Sequence, residues 1–429
     1  MSNTAKDFKN LSSDISSNIS QNNNNVYNQD AYNQDVYNQD AEAQSVLFGK
    51  NVSSIISCLE KAVDNNVFPG AVISIVKNYN KEDQFHFIKA CGYRLTEEDE
   101  WTDKNSAVNE TTVYDLGELT LLFCTASLVM KLIKQEKCSV DDLVSRYLQG
   151  FSVNGKSLIS IKNLLTSQSG LMSSYPFYEE ISKNSQGSRI GMLASRGAKE
   201  YVLNKIVRSN LKTQPNTKVY YSEVANILLG FIVEVLSGNT LDKAFYKEIA
   251  EPLNLTSSGF VDLALLRLKK LSPVLSLIAP TERCDWREKT LCGEVQNDNA
   301  WAMGGVAGNA GLFSNVQDVT IFAIEILKAL RGESDVFDEH ITKEFLGYET
   351  EQAPYLWERA SKENMMLSCG FSSSAVGINS FTGCSLWIDP KKDLIVALLA
   401  NRVHPLRSNK KIVPYRVQIF SEAIRLAES

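Results

Sequence analysis

Asp115-Leu116-Gly117-Glu118-Leu119-Thr120-Leu121 and the apolar run it opens decide how this chain is read. Beyond that stretch Leu122, Ala126, Val129, Met130 and Ile133 recur at helical spacing, while Leu121, Phe123, Leu128 and Leu132 fill the other faces. A helix that is apolar all round belongs inside a protein, so a central buried helix is predicted here. Its first turn exposes N–H groups at the positive end of the dipole. A side chain placed there meets whatever lies above the helix in a fixed geometry.

Working outward, Val52, Ile55, Ile56, Leu59 and Val63 fall on one helical face and predict a helix from Val52 to Asn65. Pro69-Gly70 then turns the chain into Ala71–Lys77. That run and Gln84–Ala90 are rich in strand formers and separated by a polar loop, which predicts a β-hairpin. From about 150 to 275 helical patterns dominate, in Ala198–Arg208, Glu223–Leu236 and Leu241–Ile249. Strand patterns return in Ser385–Ile388 and Leu394–Leu399, and Val413–Ala427 closes with a helix. Strands towards both ends with helices between them imply an α/β fold: one sheet built from the two terminal parts and a mostly helical lobe inserted in the middle.

Composition narrows the function classes. Forty-four basic and 50 acidic residues give a net charge of −6 without a long basic run, which argues against nucleic acid and anionic membrane surfaces. The N-terminus lacks a charged start followed by an apolar stretch, and no 18-residue apolar run occurs, so no membrane span and a cytoplasmic location are expected. Eight scattered cysteines without a CxxC pair, and only three histidines, read as reduced thiols with no metal site and no cofactor. Residues 1–44 are rich in Asn, Gln, Ser and Asp and carry the tandem VYNQD-AYNQD-VYNQD from Val26 to Asp40. With no apolar face to bury, this segment is expected to be a disordered tail preceding a domain over 45–429.

Several further segments occur in order: Phe68-Pro-Gly-Ala-Val72, Leu164-Leu-Thr-Ser-Gln-Ser-Gly-Leu171, Val219-Tyr-Tyr-Ser-Glu223 with Leu228-Leu-Gly230, Ile278-Ala-Pro-Thr-Glu-Arg283, Asn299-Ala-Trp-Ala-Met-Gly-Gly-Val-Ala-Gly308, and Gly383 to Pro390 followed by Asn401-Arg-Val-His-Pro405. With the opening stretch, they make about residues 45 to 425 resemble the serine β-lactamase and penicillin-binding-protein-like hydrolases, in the branch of class C β-lactamases and related esterases. This resemblance implies that the sheet is antiparallel and flanked by helices, and that sheet and helical lobe enclose a cleft. In that family the first motif reads Ser-x-x-Lys, supplying a nucleophile and an amine one turn on. Glu118 and Leu121 stand there in this chain.

The resemblance implies two further motifs. A Tyr-Ser-Asn-like triplet supplies a tyrosine base or proton relay, and Tyr221-Ser222-Glu223 keeps the tyrosine but ends in an acid. A strand motif, Lys/His-Thr-Gly within Gly-His-Thr-Gly-Phe-Thr-Gly, matches Gly377-Ile378-Asn379-Ser380-Phe381-Thr382-Gly383, where Ile378 offers a substrate carboxylate no donor. Gln296 and Asn309 occupy two positions where relatives often carry histidine. The family's oxyanion hole maps to the backbone N–H groups of Glu118 and Phe381, which survive side-chain changes.

Each residue also has a plainer role. Glu118 can be an acidic first-turn residue favoured by the helix dipole, or an acid that occupies the oxyanion hole itself. Tyr221 reads first as a packed ring with a hydrogen-bonded hydroxyl. Cys124 and Cys384 read as structural thiols, and His404 as a packed neighbour of the site. Ser-x-x-Lys recurs at Ser74, Ser209 and Ser408, but none of these opens an apolar helix. A catalytically impaired member of the family is therefore expected, with a small-molecule, ester, peptide or protein ligand in its cleft. An active hydrolase with rearranged chemistry and an interaction protein acting through its tail are the alternatives.

Overall fold

The computed structural model describes residues 51–96, 106–186, 195–350 and 352–429. The expected disordered tail, residues 1–44, lies outside the described residues. The helix expected from Val52 spans Ser53–Asp64, and the hairpin is β1 (Gly70–Lys77) and β2 (Phe85–Gly92).

Two short strands come next in the chain, β3 (Tyr114–Asp115) and β4 (Gly259–Phe260), then a small hairpin of β5 (Arg283–Cys284) and β6 (Lys289–Thr290), and β7 (Leu312–Ser314). The late strands are β8 (Glu358–Arg359), β9 (Val376–Asn379), β10 (Ser385–Asp389) and β11 (Leu394–Ala400). The main sheet is six-stranded in the order β2-β1-β11-β10-β9-β8, and every pairing is antiparallel. Ala71 pairs with Ala400 and Lys77 with Leu394, so the first and last strand regions meet at the centre of the sheet. A second sheet, β3-β7-β4, holds the opening stretch.

Both faces of the main sheet are covered, which is why β11 is apolar without alternation. Ile395, Ala397 and Leu399 join the inner core, whereas Leu394, Val396 and Leu398 join the outer one. The outer layer consists of Ser53–Asp64, through Ile55, Leu59 and Ala62, and the C-terminal helix Ile412–Glu428, through Ile419, Phe420 and Ala423. Burying each of the larger side chains, Ile55, Leu59, Ile419 and Phe420, contributes roughly 1.5–3 kcal/mol. The inner layer contains a helix that the sequence reading passed over, Val316–Leu330. Asn315 caps it by accepting the Asp318 N–H at 2.9 Å. Its Thr320 hydroxyl is hydrogen-bonded to the hydroxyl of fully buried Ser74 of β1 at 2.8 Å, so the Ser-x-x-Lys at that position is part of the sheet core.

The central helix is buried as expected but is not α-helical from its first turn. Gly117–Leu119 is a 3₁₀ turn, Leu121–Ala126 is a π turn, and the α-helix proper is Ser127–Lys134. Side chains supply what the widened turn loses: Ser127 Oγ donates to the Leu122 carbonyl at 2.7 Å, and Thr125 Oγ1 to the Gly308 carbonyl at 2.6 Å. No single described helix is long and apolar enough to cross a membrane.

Candidate functional site

Strand β3 delivers the opening stretch to the site. Asp115 pairs with Phe313 of β7, and its buried carboxylate accepts the Gly117 N–H at 2.9 Å and the Gln296 N–H at 2.7 Å. Burial pushes its pKa up to about 6 even though both hydrogen bonds favour the charged form. The turn that follows requires glycine: Gly117 has φ +54°, and a Cβ there would lie 2.3 Å from Ser380 Oγ. The first-motif turn thus lies directly against the loop after β9.

Glu118 closes that contact into a ring. Its Oε2 accepts the Phe381 N–H at 2.8 Å and the Ser380 hydroxyl at 2.8 Å, while the Glu118 N–H donates back to Ser380 Oγ at 3.1 Å. Since the Ser380 proton goes to the carboxylate, the Thr382 hydroxyl, 3.0 Å away, donates to Ser380 Oγ. Arg402 fixes the other side of the Phe381 peptide: its Nε donates to the Phe381 carbonyl at 2.7 Å, and its guanidinium lies 4.4 Å over the Phe381 ring. Glu118 stays in the first turn of its helix, and the geometry adds the other plain role, an acid bonded to an oxyanion-hole N–H. Two directed hydrogen bonds to a carboxylate outweigh the diffuse attraction of a short, irregular first turn.

The second-motif triplet is arranged differently. Ser222 caps helix Glu223–Ser237 by accepting the Ala225 N–H at 3.1 Å, and its hydroxyl donates to the Met172 carbonyl at 2.7 Å. The Glu223 carboxylate accepts from Asn297 Nδ2 at 2.8 Å, Asn299 Nδ2 at 3.1 Å and Asn309 Nδ2 at 3.1 Å. Burial holds it above the ordinary glutamate value against the pull of the Asn297 and Asn299 amides, and the Glu118 charge adds to the rise. Tyr221 is 52% exposed, so its ring is not sealed as expected, while its hydroxyl end is desolvated and hydrogen-bonded to Asn226, in keeping with the other half of that expectation. Enough protein still crowds its phenol for desolvation to push the pKa up, and Glu118 and Glu223 push it further. Such a phenol stays protonated at neutral pH.

The remaining motif positions are structural in character. Leu121 is 2% exposed and Ile378 7% exposed, both within the inner core. Asn379 accepts the Trp387 indole N–H at 3.1 Å. Cys124 and Cys384 are sealed, and burial pushes the Cys384 thiol up to about 12. His404 is buried, as expected for a packed neighbour. Sequence reasoning named Glu118, Ser380 and Glu223 but not their partners Arg402, Asn297 and Asn299. The run Asn297-Asp298-Asn299 was the one available signal, since amides that close together often serve a single acceptor.

The Beta-lactamase family model matches residues 55–419. The chain belongs to the serine β-lactamase and penicillin-binding-protein-like family. A member named N-acetylmuramyl-L-alanine amidase, from Bacillus subtilis strain 168, is 30% identical over 363 residues, covering 79% of this chain and 78% of its own. Among solved structures, EstCE1, described as a hydrolase with promiscuous acyltransferase activity, superposes with a TM-score of 0.64 at 18% identity, over 89% of this chain and 99% of its own. The octameric penicillin-binding protein homologue from Pyrococcus abyssi gives 0.60 at 20% identity, over 88% and 77%. These likenesses establish the family fold. Against its pattern, the ring of Glu118, Ser380 and Phe381 stands where the resemblance assigns the nucleophile, the third-motif glycine and an oxyanion donor.

Proposed function

We propose that this β-lactamase-family protein is a pseudoenzyme, with its acyl-transfer site closed from within and its cleft kept as a recognition surface for a peptide or ester. The observation that carries this reading is the Glu118 carboxylate 2.8 Å from both the Phe381 N and Ser380 Oγ. Acyl transfer needs a neutral or positive donor pair aimed at a developing oxyanion. A carboxylate already bound to one donor adds negative charge where that charge would form, and the Glu118 N–H is spent on Ser380. The exposed rings of Tyr221 (52%) and Phe381 (40%) on either side of this plug give a ligand aromatic surface to meet.

One observation favours the rearranged hydrolase as a second reading. Ser380 and Glu118 form a hydroxyl–carboxylate pair that resembles a nucleophile with its base. Ser380 is only 3% exposed, however, and its nearest N–H donors are already occupied. Intact mass after incubation with a β-lactam and with a fluorophosphonate, alongside turnover of a chromogenic acyl ester, separates the two. No adduct and no turnover are expected. An adduct within 115–125 or on Ser380 would overturn the pseudoenzyme assignment.

The third reading, interaction through the Asn/Gln-rich segment 1–44, rests on composition alone. On the same ground that segment is proposed to be dispensable for folding. A clear drop in melting temperature on its removal would refute this.

A further inference from the structure

Away from the motif residues, a cavity of about 360 Å³ opens in the helical lobe, a size typical of small-molecule sites. It lies where helix Phe177–Gln186 begins and helix Arg196–Arg208 ends, and the loop 209–212 closes it. Its floor is apolar: Met172, Tyr175, Phe177, Ile206 and Leu211, with the Tyr175 and Phe177 rings 4.9 Å apart. Its rim is cationic, from Lys205, Arg208 and Lys212.

Charge accounting shows which cations remain available. Lys205 is bound to Glu180 at 2.8 Å. That carboxylate also accepts the Tyr175 and Tyr201 hydroxyls, and the Lys205, Tyr175 and Tyr201 hydrogen bonds hold its pKa down at about 2. Glu180 is thereby saturated. The exposed Arg208 and Lys212 side chains have no carboxylate partner among the described residues. Between Lys199 and Lys218 the sequence carries five basic residues and one acidic residue, Glu200, in a chain whose net charge is −6.

The wall is also held rigid. Fully buried Lys156 donates to the Ser209 carbonyl, Asn154 Nδ2 donates to the Arg208 carbonyl at 2.8 Å, and Ser209 Oγ donates to the Ile206 carbonyl at 2.8 Å. Gly170 receives the loop on its far side, its carbonyl accepting the Lys212 N–H at 2.8 Å. A buried lysine without a carboxylate, bonded to Ser209 of the cavity wall, and a rim with two cations that have no carboxylate partner among the described residues give the cavity a positive potential that favours an anion.

We propose that this cavity binds an amphipathic carboxylate, its apolar body on Tyr175, Phe177 and Ile206 and its anion between Arg208 and Lys212. None of the residues lining the cavity is a motif position, although the Met172–Tyr175 segment also meets the second-motif turn and its asparagine, through the Met172, Ser173 and Tyr175 carbonyls. Arginine and lysine at one rim suit a carboxylate that is bidentate on the first and point-bound to the second.

Isothermal titration calorimetry on the full chain with 4-phenylbutyrate and its uncharged amide, 4-phenylbutanamide, tests the proposal. The carboxylate is expected to bind saturably at one site and the amide at least about tenfold more weakly. Arg208→Gln with Lys212→Gln should weaken the carboxylate by at least about tenfold without moving the melting temperature, both side chains being exposed. Rising salt should weaken the carboxylate and spare the amide. Equal affinity for the two probes, no saturable binding at millimolar concentration, an unchanged double variant, or binding lost in Glu118→Gln would each overturn it. The last result would place the probe in the cleft.

Discussion

Where the first-motif turn meets the loop after β9, Glu118 and Ser380 hydrogen-bond each other; at the second-motif turn, Tyr221 keeps half of its surface exposed while its hydroxyl end is crowded by protein. Glu118 and Ser380 consume each other's donors and acceptors within one ring. At the other turn Glu223 accepts from three asparagines, and Tyr221, half exposed, takes no part in those bonds. Under the pseudoenzyme reading proposed above, the difference would make chemistry and recognition separable within one cleft. Satisfying buried donors internally removes a reactive site without leaving unpaired groups behind, so the fold loses little stability. An exposed aromatic ring depends on no such closure and remains free to contact a ligand.

The largest expected effect comes from trying to undo the filled side. Glu118→Ser with Leu121→Lys restores the residue types of the first motif, but Leu121 is 2% exposed in the inner core. A lysine there has no carboxylate in the motif to meet, and the double variant should lose roughly 3 kcal/mol or more relative to Glu118→Ser alone, read from urea denaturation midpoints. It should show at most trace esterase activity, rising somewhat with Ile378→His. A double variant as stable as the single one would mean that the turn can open to admit the amine. Turnover at a rate ordinary for hydrolases, roughly 1 to 10³ per second, would remove the main support for a closed site.

Next in size is a pH effect located beneath the same turn. The Asp115 pKa rises from the ordinary 3.8 to about 6 on folding, chiefly through burial. Between these values the folded chain holds a proton that the unfolded chain has released, so stability falls as pH rises through the window. The loss is complete above about 6 and absent below about 4. The shift corresponds to roughly 3 kcal/mol at most. Asp115→Asn should flatten this part of the stability curve whatever its effect on absolute stability. Equal slopes for variant and wild type between about pH 4 and pH 7 would show that Asp115 titrates normally.

Much of the scaffold was legible because burial imposes periodicity. The apolar run Leu394–Leu399 and the hairpin from Ala71 announced strands, and the pairing of terminal regions followed from their placement. Helix Val316–Leu330 carried the same kind of signal, in Val316, Val319, Ala323, Ile326 and Leu330 after the Asn315 cap, and was simply passed over. The site was legible as positions and illegible as contacts. Glu118 and Ser380 are 262 residues apart, and nothing local tells a glutamate to prefer a distant peptide N–H to its own helix terminus. Tyr221 was read as packed because aromatic rings usually are. Its exposure depends on which neighbours are missing, and no stretch of sequence states that.

On the second-motif side, Glu223→Ala should cost roughly 2 kcal/mol, because it strands the Nδ2 groups of buried Asn299 and Asn309 and of Asn297. Glu223→Gln keeps one acceptor oxygen and should cost less. Since Tyr221 shares none of these bonds and Tyr221→Phe removes only its hydroxyl's contact with Asn226, that variant should cost less than Glu223→Ala, about 1 kcal/mol or less. A Tyr221→Phe variant as damaged as Glu223→Ala would show that the two turns are built alike, against the comparison drawn above.

The smallest effect is the most specific to the ring. Glu118→Ala removes the acceptor of the Phe381 N–H, and Ser380→Gly removes the hydroxyl that both donates to that carboxylate and accepts the Glu118 N–H. If the ring acts as one unit, each single variant breaks most of it and the double variant loses little more. A double-mutant cycle should then give a coupling of about 0.5–2 kcal/mol, the lower part of that range being expected because Glu118 is only partly buried. Hydrogen exchange supplies an independent check, because the Phe381 amide is held by Glu118 rather than by a sheet partner. Its protection should fall in Glu118→Ala and stay near wild type in Tyr221→Phe. Additive losses in the cycle, together with unchanged Phe381 exchange, would mean that the carboxylate merely rests near the loop, leaving the oxyanion donor open and the filled side of the cleft no more closed than the exposed one.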